Sequence, residues 1–297
     1  MNPFIKRIFM ILLTAFVVLM AVSFCLLLSF RNSNFYKSTY AFRNQHSTYD
    51  FIILGSSRGL TSINTRLLGQ GLRQKGFNFS MDDSHIGTHE LMLRHLLKNE
   101  IRFDTLFLVF ENSLESVSSL SSNDYRFLPF IHTQYVRSYF RSLSSEEVYT
   151  AGDLFPFLPL AYYNIELTAP SVLALARPDF KYRFDEWGDY SYPVHGKSVL
   201  EESVTDVHLN LNNRQLKNIR AICDLKNIVL IILITPSYHT YFKLSGDLED
   251  YNVLDISGTL GGSMYFYDRL HLNQIGKEKL TNILIEQLHK SNLPENL

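Results

Sequence analysis

An uncharged apolar run near the N-terminus constrains this chain more than any other feature of its sequence. No Asp, Glu, Lys or Arg occurs from Ile8 to Phe30, and most of these 23 residues are Leu, Val, Phe, Ile or Ala. A helix of this length crosses a hydrocarbon core about 30 Å thick. The run therefore predicts a transmembrane helix that holds the chain in a lipid bilayer through residues 8–30.

A cleaved signal peptide is the alternative interpretation, because Ala21-Val22-Ser23 offers small residues at a cleavage-like spacing. The apolar sequence continues past this point to Leu28, which favours a retained anchor. Lys6 and Arg7 precede the run and favour a cytoplasmic N-terminus, although basic residues after the run weaken the asymmetry. We expect a single-pass protein of the cytoplasmic membrane with residues 31–297 outside the cytoplasm, periplasmic or extracellular.

Composition excludes several classes of protein. The chain has 297 residues, 46% hydrophobic and 19% charged, which is too apolar for a disordered chain. Its net charge of −1, without runs of Lys or Arg, argues against nucleic acid as a partner. Its two cysteines, Cys25 and Cys223, make neither a disulfide scaffold nor a four-thiolate metal site. No motif calls for a cofactor.

The rest of the chain alternates short apolar runs with helix-like segments. The predicted buried strands are Tyr49–Leu54, Thr105–Phe110, Ile228–Ile234 and, more weakly, Tyr251–Ile256. The predicted helices are 63–76, 89–97, 212–226 and 275–289. Strands that are apolar throughout and separated by helices are typical of a parallel sheet covered on both faces.

The fold class predicted from this pattern is α/β, a three-layer α/β/α domain with an N-terminal transmembrane helix. We expect the anchor at residues 1–30, a polar tether at 31–48 and the α/β domain at 49–297. About 113–208 lies between the second and third strands and is too long for an ordinary connection. We predict that this insertion forms a cap over the carboxyl edge of the sheet.

Polar side chains gather where the predicted strands end, which is where open parallel sheets bind ligands. They are Ser56 and Ser57, Glu111 and Asn112, and Ser237 and His239. A further motif, Asp268-x-x-His271, lies just before the last helix. A carboxylate three residues before a histidine on a turn can orient the imidazole and leave its other nitrogen free to act as a base on a serine.

Two of these motifs carry a family resemblance. Leu54-Gly55-Ser56-Ser57 resembles the nucleophile block of SGNH/GDSL hydrolases, in the Gly-Ser-Ser form of membrane-anchored members. Asp268-Arg269-Leu270-His271, followed by Leu272-Asn273 and Gly276, resembles the last block of that family. In order and spacing the resemblance spans about residues 49–290, with the insertion unmatched.

The resemblance implies a flavodoxin-like SGNH fold and assigns roles within it. Ser57 would be the nucleophile, His271 its base and Asp268 the acid that orients the base. Asn112 falls where the family has an Asn whose side-chain amide binds the oxyanion, and the backbone amide of Ser57 would be a second donor.

The sequence departs from the family pattern at two oxyanion positions. Phe110 stands where the family has a glycine two residues before the Asn. After Asn78, where the family supplies another glycine, the residues are Ser80 to Ser84, and Gly87 comes late. The triad looks present, whereas its electrostatic support looks altered.

Each candidate has a structural alternative. Ser56 and Ser57 could cap the following helix, Asp268 and His271 could be a surface pair, and Asn112 could be ordinary turn chemistry. Asn273 is expected to cap the last helix.

Histidines and aromatic residues outside the motifs have weaker functional interpretations. No acid or Cys with ligand spacing joins His85, His89 and His95, so we predict no metal site. We expect His239 to line the pocket rather than act as a base. The aromatic clusters Phe155–Tyr163 and Tyr182–Tyr192, the latter with Trp187, could bind a sugar or an acyl chain, or form the core of the cap.

The resemblance implies a membrane-tethered serine esterase or O-acyltransferase acting, through an acyl-Ser57 intermediate, on acyl esters of an extracytoplasmic envelope glycan. Anchored family members act on alginate, peptidoglycan or teichoic acids beside a membrane-bound O-acyltransferase, which is the partner expected here. No motif separates hydrolysis from transfer. One alternative is a non-catalytic SGNH-like partner in a polysaccharide assembly or acylation complex, and another is an exported lipase or esterase for small lipids.

Overall fold

A computed structural model describes residues 3–111, 120–121, 123–143, 164–195 and 203–290. The chain divides into two compact units. Unit 1 comprises Met1–Arg43 and Asp124–Tyr182, and unit 2 comprises Asn44–Asn123 and Arg183–Leu297.

Helices and strands alternate through most of the described chain. The α-helices are α1 Pro3–Arg31, α2 Lys37–Arg43, α3 Ser57–Ser62, α4 Thr65–Leu72, α5 Ile86–Lys98, α6 Gln134–Leu143, α7 Asn164–Ala176, α8 Arg214–Lys226 and α9 Gln274–Lys290. The strands are β1 Phe51–Leu54, β2 Gly76–Asn78, β3 Thr105–Val109, β4 Thr205–Asn210, β5 Val229–Ile234, β6 Thr240–Ser245 and β7 Asn252–Asp255.

A five-stranded parallel sheet forms the centre of unit 2, with the strand order β2-β1-β3-β5-β7. Its register aligns Ile53 with Phe107 and Phe107 with Ile231. Every residue of β1 and β3 is buried, as the apolar runs predicted for strands covered on both faces. The predicted parallel α/β sheet is therefore confirmed.

One face of this sheet packs against helices α4 and α9. The buried cluster on that face combines alternate strand residues with helix leucines. From the strands it includes Phe51, Ile53, Phe107, Val109, Ile231 and Leu233, and from the helices Leu68, Leu280, Leu284 and Leu288. Because α9 follows the Asp268-x-x-His271 segment directly, this packing fixes the start of the helix near the sheet.

A second, two-stranded parallel sheet, β4-β6, was not predicted from the sequence. Alternate residues of β6 are exposed, in a period-2 pattern without a continuous apolar run. The sheet is connected to the motif segments by two arginines. Arg269 donates to the Ser203 carbonyl and to Thr205 of β4, and the guanidinium of Arg58 lies 4.9 Å from the ring centroid of Phe242 in β6.

Unit 1 contains the predicted membrane segment. Helix α1 includes the whole run 8–30 and is long and apolar enough to cross a membrane. At 1.5 Å per residue it measures about 44 Å. Its apolar side chains are mostly exposed from Phe4 to Phe24, whereas Phe30 at its end is buried with Tyr36 and with Ala174 of α7.

The compact units divide the chain differently from the predicted boundaries. The predicted tether, 31–48, contains α2, where Lys37, Ser38, Thr39 and Ala41 are buried. Ser38 donates to the carbonyl oxygen of Arg126, and Arg126 lies over the rings of Tyr36 and Tyr182. These contacts group residues 124–182 of the predicted cap with the N-terminal helices, whereas 183–195 belong to unit 2.

Candidate active site

The turn after β1 places two serines at the start of α3. A Cβ atom at Gly55 would lie only 3.0 Å from the Cβ of Val109, so the chain turns where a side chain would not fit. The Ser56 hydroxyl accepts a hydrogen bond from the backbone N–H of Arg58, at 3.2 Å, and caps the helix. The capping alternative is thus fulfilled by Ser56, and Ser57 is the first helical residue.

The structure joins Ser57, His271 and Asp268 in one chain of hydrogen bonds. The Nε2 atom of His271 lies 2.8 Å from the Oγ of Ser57. The Nδ1 atom of His271 lies 2.9 Å from both carboxylate oxygens of Asp268. The His271 side chain is 14% exposed and that of Asp268 35%, so the pair is not a freely solvated surface contact.

The state of Asp268 fixes the tautomer of the histidine. Burial acts to raise the pKa of Asp268, but the hydrogen bond from His271 and the backbone N–H groups of Leu270 and His271 outweigh it and hold that pKa below its usual range. An ionised carboxylate only accepts, so Nδ1 carries the proton. In neutral His271, Nε2 is then the acceptor for the Ser57 hydroxyl.

Backbone contacts hold the loop that carries His271. The N–H of Tyr267 donates to the carbonyl oxygen of His271 at 2.9 Å, and Phe266 forms an antiparallel bridge with Leu272. The side chain of Asn273 accepts from the N–H of Gly276 at 3.0 Å, which is the predicted cap of α9. His271 therefore belongs to a turn held by hydrogen bonds at the start of a packed helix.

An ion pair, buried at its Arg58 end, joins α3 to the residue Glu111 that follows β3. Arg58 Nη1 lies 3.9 Å from Glu111 Oε2, and Arg58 Nη2 donates to the carbonyl oxygen and hydroxyl of Thr235 at the end of β5. Burial raises the pKa of Glu111, against the opposing effects of Arg58, His271 and the backbone N–H of Ser56. Burial likewise lowers the pKa of Arg58, against Glu111.

Part of this pair was visible in the sequence and part was not. The sequence places Glu111 at the end of a predicted strand, but the sequence motifs assign no role to Arg58. The sequence does contain a signal for a buried, paired Arg58: it is the one charged residue in the segment of small and apolar residues that follows Ser57. Within the described residues, Arg58 Nε and Glu111 Oε1 are buried without a hydrogen-bond partner.

Two segments bear on oxyanion binding: the one that follows β3 and the one that follows β2. Asn112 lies outside the described residues, so its role stays a prediction. The backbone N–H of Ser80 donates to the side chain of Asn78 at 2.9 Å, and that of Met81 donates to the carbonyl oxygen of Gly55 at 3.0 Å. Both amides of the segment after β2 thus already donate to acceptors within the protein, one to Asn78 and one to the turn after β1.

Aromatic rings lie directly beside the histidine. The Tyr192 ring centroid is 5.2 Å from the imidazole of His271 and 4.2 Å from the ring of Tyr267, to which it is nearly parallel. Arg183 donates to the Tyr192 hydroxyl at 3.2 Å and to the carboxylate of Asp82 at 3.0 Å. Part of the predicted cluster Tyr182–Tyr192 therefore borders the site, whereas Phe155–Tyr163 lies outside the described residues.

Three other histidines have structural contacts of their own. His85 caps α5 through the N–H of Thr88, and the imidazole of His89 lies 3.2 Å from the Ser84 hydroxyl. Within the described residues no group of three His, Cys, Asp or Glu side chains could hold a metal ion. His239 has a positive φ of 47° and stacks on Tyr238 at 4.2 Å.

The described geometry defines a serine–histidine–aspartate hydrogen-bonded triad at the carboxyl edge of a parallel sheet. No protein-family model matches the chain, and no curated protein matches it.

Proposed function

We propose that the chain is a membrane-tethered SGNH-type serine esterase or O-acyltransferase. The observation that carries this proposal is the 2.8 Å contact between His271 Nε2 and Ser57 Oγ, with Asp268 on the other imidazole nitrogen. A base within hydrogen-bond reach of a hydroxyl, itself oriented by a carboxylate, is the arrangement that activates a serine nucleophile.

The reaction proceeds in two halves. Ser57 Oγ attacks the ester carbonyl while His271 Nε2 takes its proton, and the acyl–oxygen bond of the substrate then breaks with its electron pair on the leaving oxygen. His271 gives the proton to that oxygen, which releases the alcohol and leaves acyl-Ser57. Water, or a sugar hydroxyl in the transferase version, resolves the acyl-enzyme by the reverse sequence. The Ser57 N–H and the Asn112 side chain are the proposed oxyanion donors.

The remaining features are proposed to place this chemistry at the cell envelope. Helix α1 is the anchor, with the N-terminus inside the cytoplasm and residues 31–297 outside it. The substrate is then an acylated envelope glycan, and a membrane-bound O-acyltransferase is the proposed partner. In the fold, we propose that α5 and α8, which contact each other, form the layer opposite α4 and α9 in a three-layer, flavodoxin-like arrangement.

Labelling with a fluorophosphonate probe tests the nucleophile. The full chain in detergent micelles should be labelled, and Ser57→Ala should abolish the labelling. Ser56→Ala is the matched control, because it removes a neighbouring hydroxyl and a helix cap while Ser57 stays in place. Undiminished labelling of Ser57→Ala would remove Ser57 from the mechanism.

A second candidate function is a non-catalytic SGNH-like partner in a glycan assembly or acylation complex. The internal use of the Ser80 and Met81 amides favours it, because oxyanion donors usually contribute the largest single part of such catalysis. This candidate predicts no turnover of acyl esters by the purified full chain, together with full function of Ser57→Ala in cells. Ester turnover that Ser57→Ala abolishes would exclude it.

A further inference from the structure

Two stacked tyrosine rings extend the site on the side of the base. The Tyr192 and Tyr267 rings lie 4.2 Å apart with an interplanar angle of 9°, and Tyr190 meets Tyr192 edge-on at 5.3 Å. All three rings are partly exposed. Within the described part of the chain, Tyr192 is the one aromatic ring that contacts Tyr267, and it covers one face of the Tyr267 ring.

Arg183 holds the polar edge of this stack, and the charge of Arg183 is balanced by Asp82. Arg183 donates to the Tyr192 hydroxyl and lies 4.8 Å from the ring centroid of Tyr190. The same guanidinium is paired with the mostly buried carboxylate of Asp82 at 3.0 Å. Burial raises the pKa of Tyr192, so its hydroxyl stays un-ionised. The surface is therefore aromatic with a hydroxyl rim, and its cation already has a partner.

The position of the rings relates them to one half of an ester substrate. His271 must reach the leaving oxygen in order to protonate it, so the alcohol half of the ester lies against the imidazole. The Tyr192 ring is 5.2 Å from that imidazole, centroid to centroid. The stack therefore borders the space of the alcohol half rather than that of the acyl half, which is bonded to Ser57.

The chemistry of the surface matches a sugar ring. A pyranose has a face of C–H groups and a rim of hydroxyl groups, which complements an aromatic face with fixed hydroxyl and guanidinium groups at its edge. We propose that Tyr267 and Tyr192 form a platform that binds the sugar ring carrying the ester. This assignment rests on the proposed function for its substrate, and it adds the residues that select a glycan ester over other esters.

Paired esters of the same acid test the platform. The sugar probes are the methyl glycosides of 6-O-acetylglucose, 6-O-acetylmannose and 6-O-acetyl-N-acetylglucosamine, and the reference is ethyl acetate, which is also an acetate of a primary alcohol. The measured quantity is the ratio of kcat/KM for the best sugar ester to kcat/KM for ethyl acetate. Removing the ring in Tyr267→Leu should lower this ratio about tenfold, mostly through KM, as expected for the loss of one aromatic contact.

Two control variants separate the ring face from other effects. Tyr267→Phe keeps the aromatic face and should keep the ratio. Tyr241→Leu replaces an exposed tyrosine of β6 and should also keep it. Tyr267→Gln is the second ring-less variant in case leucine is not tolerated, and the emission of the single tryptophan, Trp187, reports folding of each variant. A ratio unchanged in the folded ring-less variant would overturn the platform.

A binding measurement separates this inference from the esterase proposal. Saturation-transfer NMR with the same three glycosides uses the full-length Ser57→Ala chain in micelles, so no turnover is needed. Saturation should reach the sugar ring protons and be lost in Ser57→Ala/Tyr267→Leu. If the wild-type chain hydrolyses neither ester class while this signal behaves as expected, the esterase proposal fails and the platform stands. No signal, or an equal signal in both variants, overturns the platform.

Discussion

Removing the cation Lys277 tests how a buried charge pair holds the loop beside the candidate active site. Lys277 in α9 and Asp189 in the loop before Tyr190 are 2% and 4% exposed, with Nζ 3.7 Å from Oδ2. Lys277 also donates to the Tyr190 carbonyl oxygen at 3.0 Å and lies 3.3 Å from the Ser191 hydroxyl. The pair therefore connects the last helix to the segment that carries Tyr190 and Tyr192.

The expected loss of unfolding free energy differs between removal of Lys277 and removal of the Asp189 charge. In Lys277→Met, Asp189 still accepts from the N–H and hydroxyl of Thr65 and from the Asn78 amide. We expect a loss near the lower end of the range for breaking a buried pair, about 3 kcal/mol. In Asp189→Asn the ammonium keeps only neutral acceptors and the new amide opposes the donors of Thr65, so about 4–5 kcal/mol is expected.

Protonation should modify the loss in Lys277→Met. Burial raises the pKa of Asp189, and Lys277 opposes that rise. Without Lys277 the folded-state pKa rises further, so the folded variant is favoured when Asp189 is protonated. That stabilisation is present at low pH and is lost as the pH rises through the folded-state pKa, so the deficit should grow from acid to neutral pH.

The emission of Trp187 reports on unfolding close to the Lys277–Asp189 pair. Trp187 is the single tryptophan of the chain and lies two residues before Asp189, and its carbonyl oxygen accepts from the N–H of Asn78. Urea unfolding of the full chain in micelles, followed by its emission, gives the free energy of unfolding of unit 2. Lys279→Met is the matched control, because Lys279 is an exposed lysine of the same helix, and it should stay within about 0.5 kcal/mol of wild type.

A double-mutant cycle decides whether the two charges act together. Lys277→Met/Asp189→Asn should cost less than the sum of the single variants by about 2 kcal/mol. A loss below about 1 kcal/mol in Lys277→Met, or strictly additive losses, would refute the view that the ammonium compensates a buried carboxylate.

Two further predictions concern titration and the triad. Burial, assisted by His85, lowers the pKa of His89 to about 3, so the unfolded chain binds a proton that the folded chain does not below about pH 6.5. Between about pH 6 and 4, unfolding free energy should fall about 1.4 kcal/mol per pH unit more steeply in wild type than in His89→Gln, and equal slopes in urea titrations would contradict this. Asp268→Asn should lower kcat/KM for p-nitrophenyl acetate by about 10³–10⁴, because the imidazole loses the group that selects its tautomer. A loss below tenfold would argue against that role.

The strands that the sequence predicted well are those that lie within apolar runs of six or seven residues. The run Ile228–Ile234 became β5 and Tyr251–Ile256 became β7, with no end shifted by more than one residue. The predicted helix 63–76 was wrong after Leu72. Arg73 ends α4 in the left-handed conformation, with φ 56°, and Gly76–Asn78 form a strand too short to show a pattern.

Contacts between distant polar residues could not be predicted from periodicity. The order of the motifs suggested that Ser57 would meet His271, because parallel strands end at one edge. Nothing comparable pairs Arg183 with Asp82, 101 positions away, or Lys277 with Asp189. Such pairs depend on the conformation of the loops that cover the sheet. The local sequence around a single Arg or Asp in a loop does not show whether its side chain is solvated or paired.

The chain separation within the triad determines when the site can exist. Ser57 and His271 lie 214 positions apart, and residues 124–182 of the other compact unit are made between them. During synthesis from the N-terminus, Ser57 emerges long before His271, the base proposed to take its proton. The Ser57–His271 hydrogen bond can form only after the segment 268–271 has been made and has packed at the end of the sheet. In a growing chain the Ser57 hydroxyl therefore lacks its hydrogen-bond acceptor. Any reactivity of this serine towards esters begins only when unit 2 has folded.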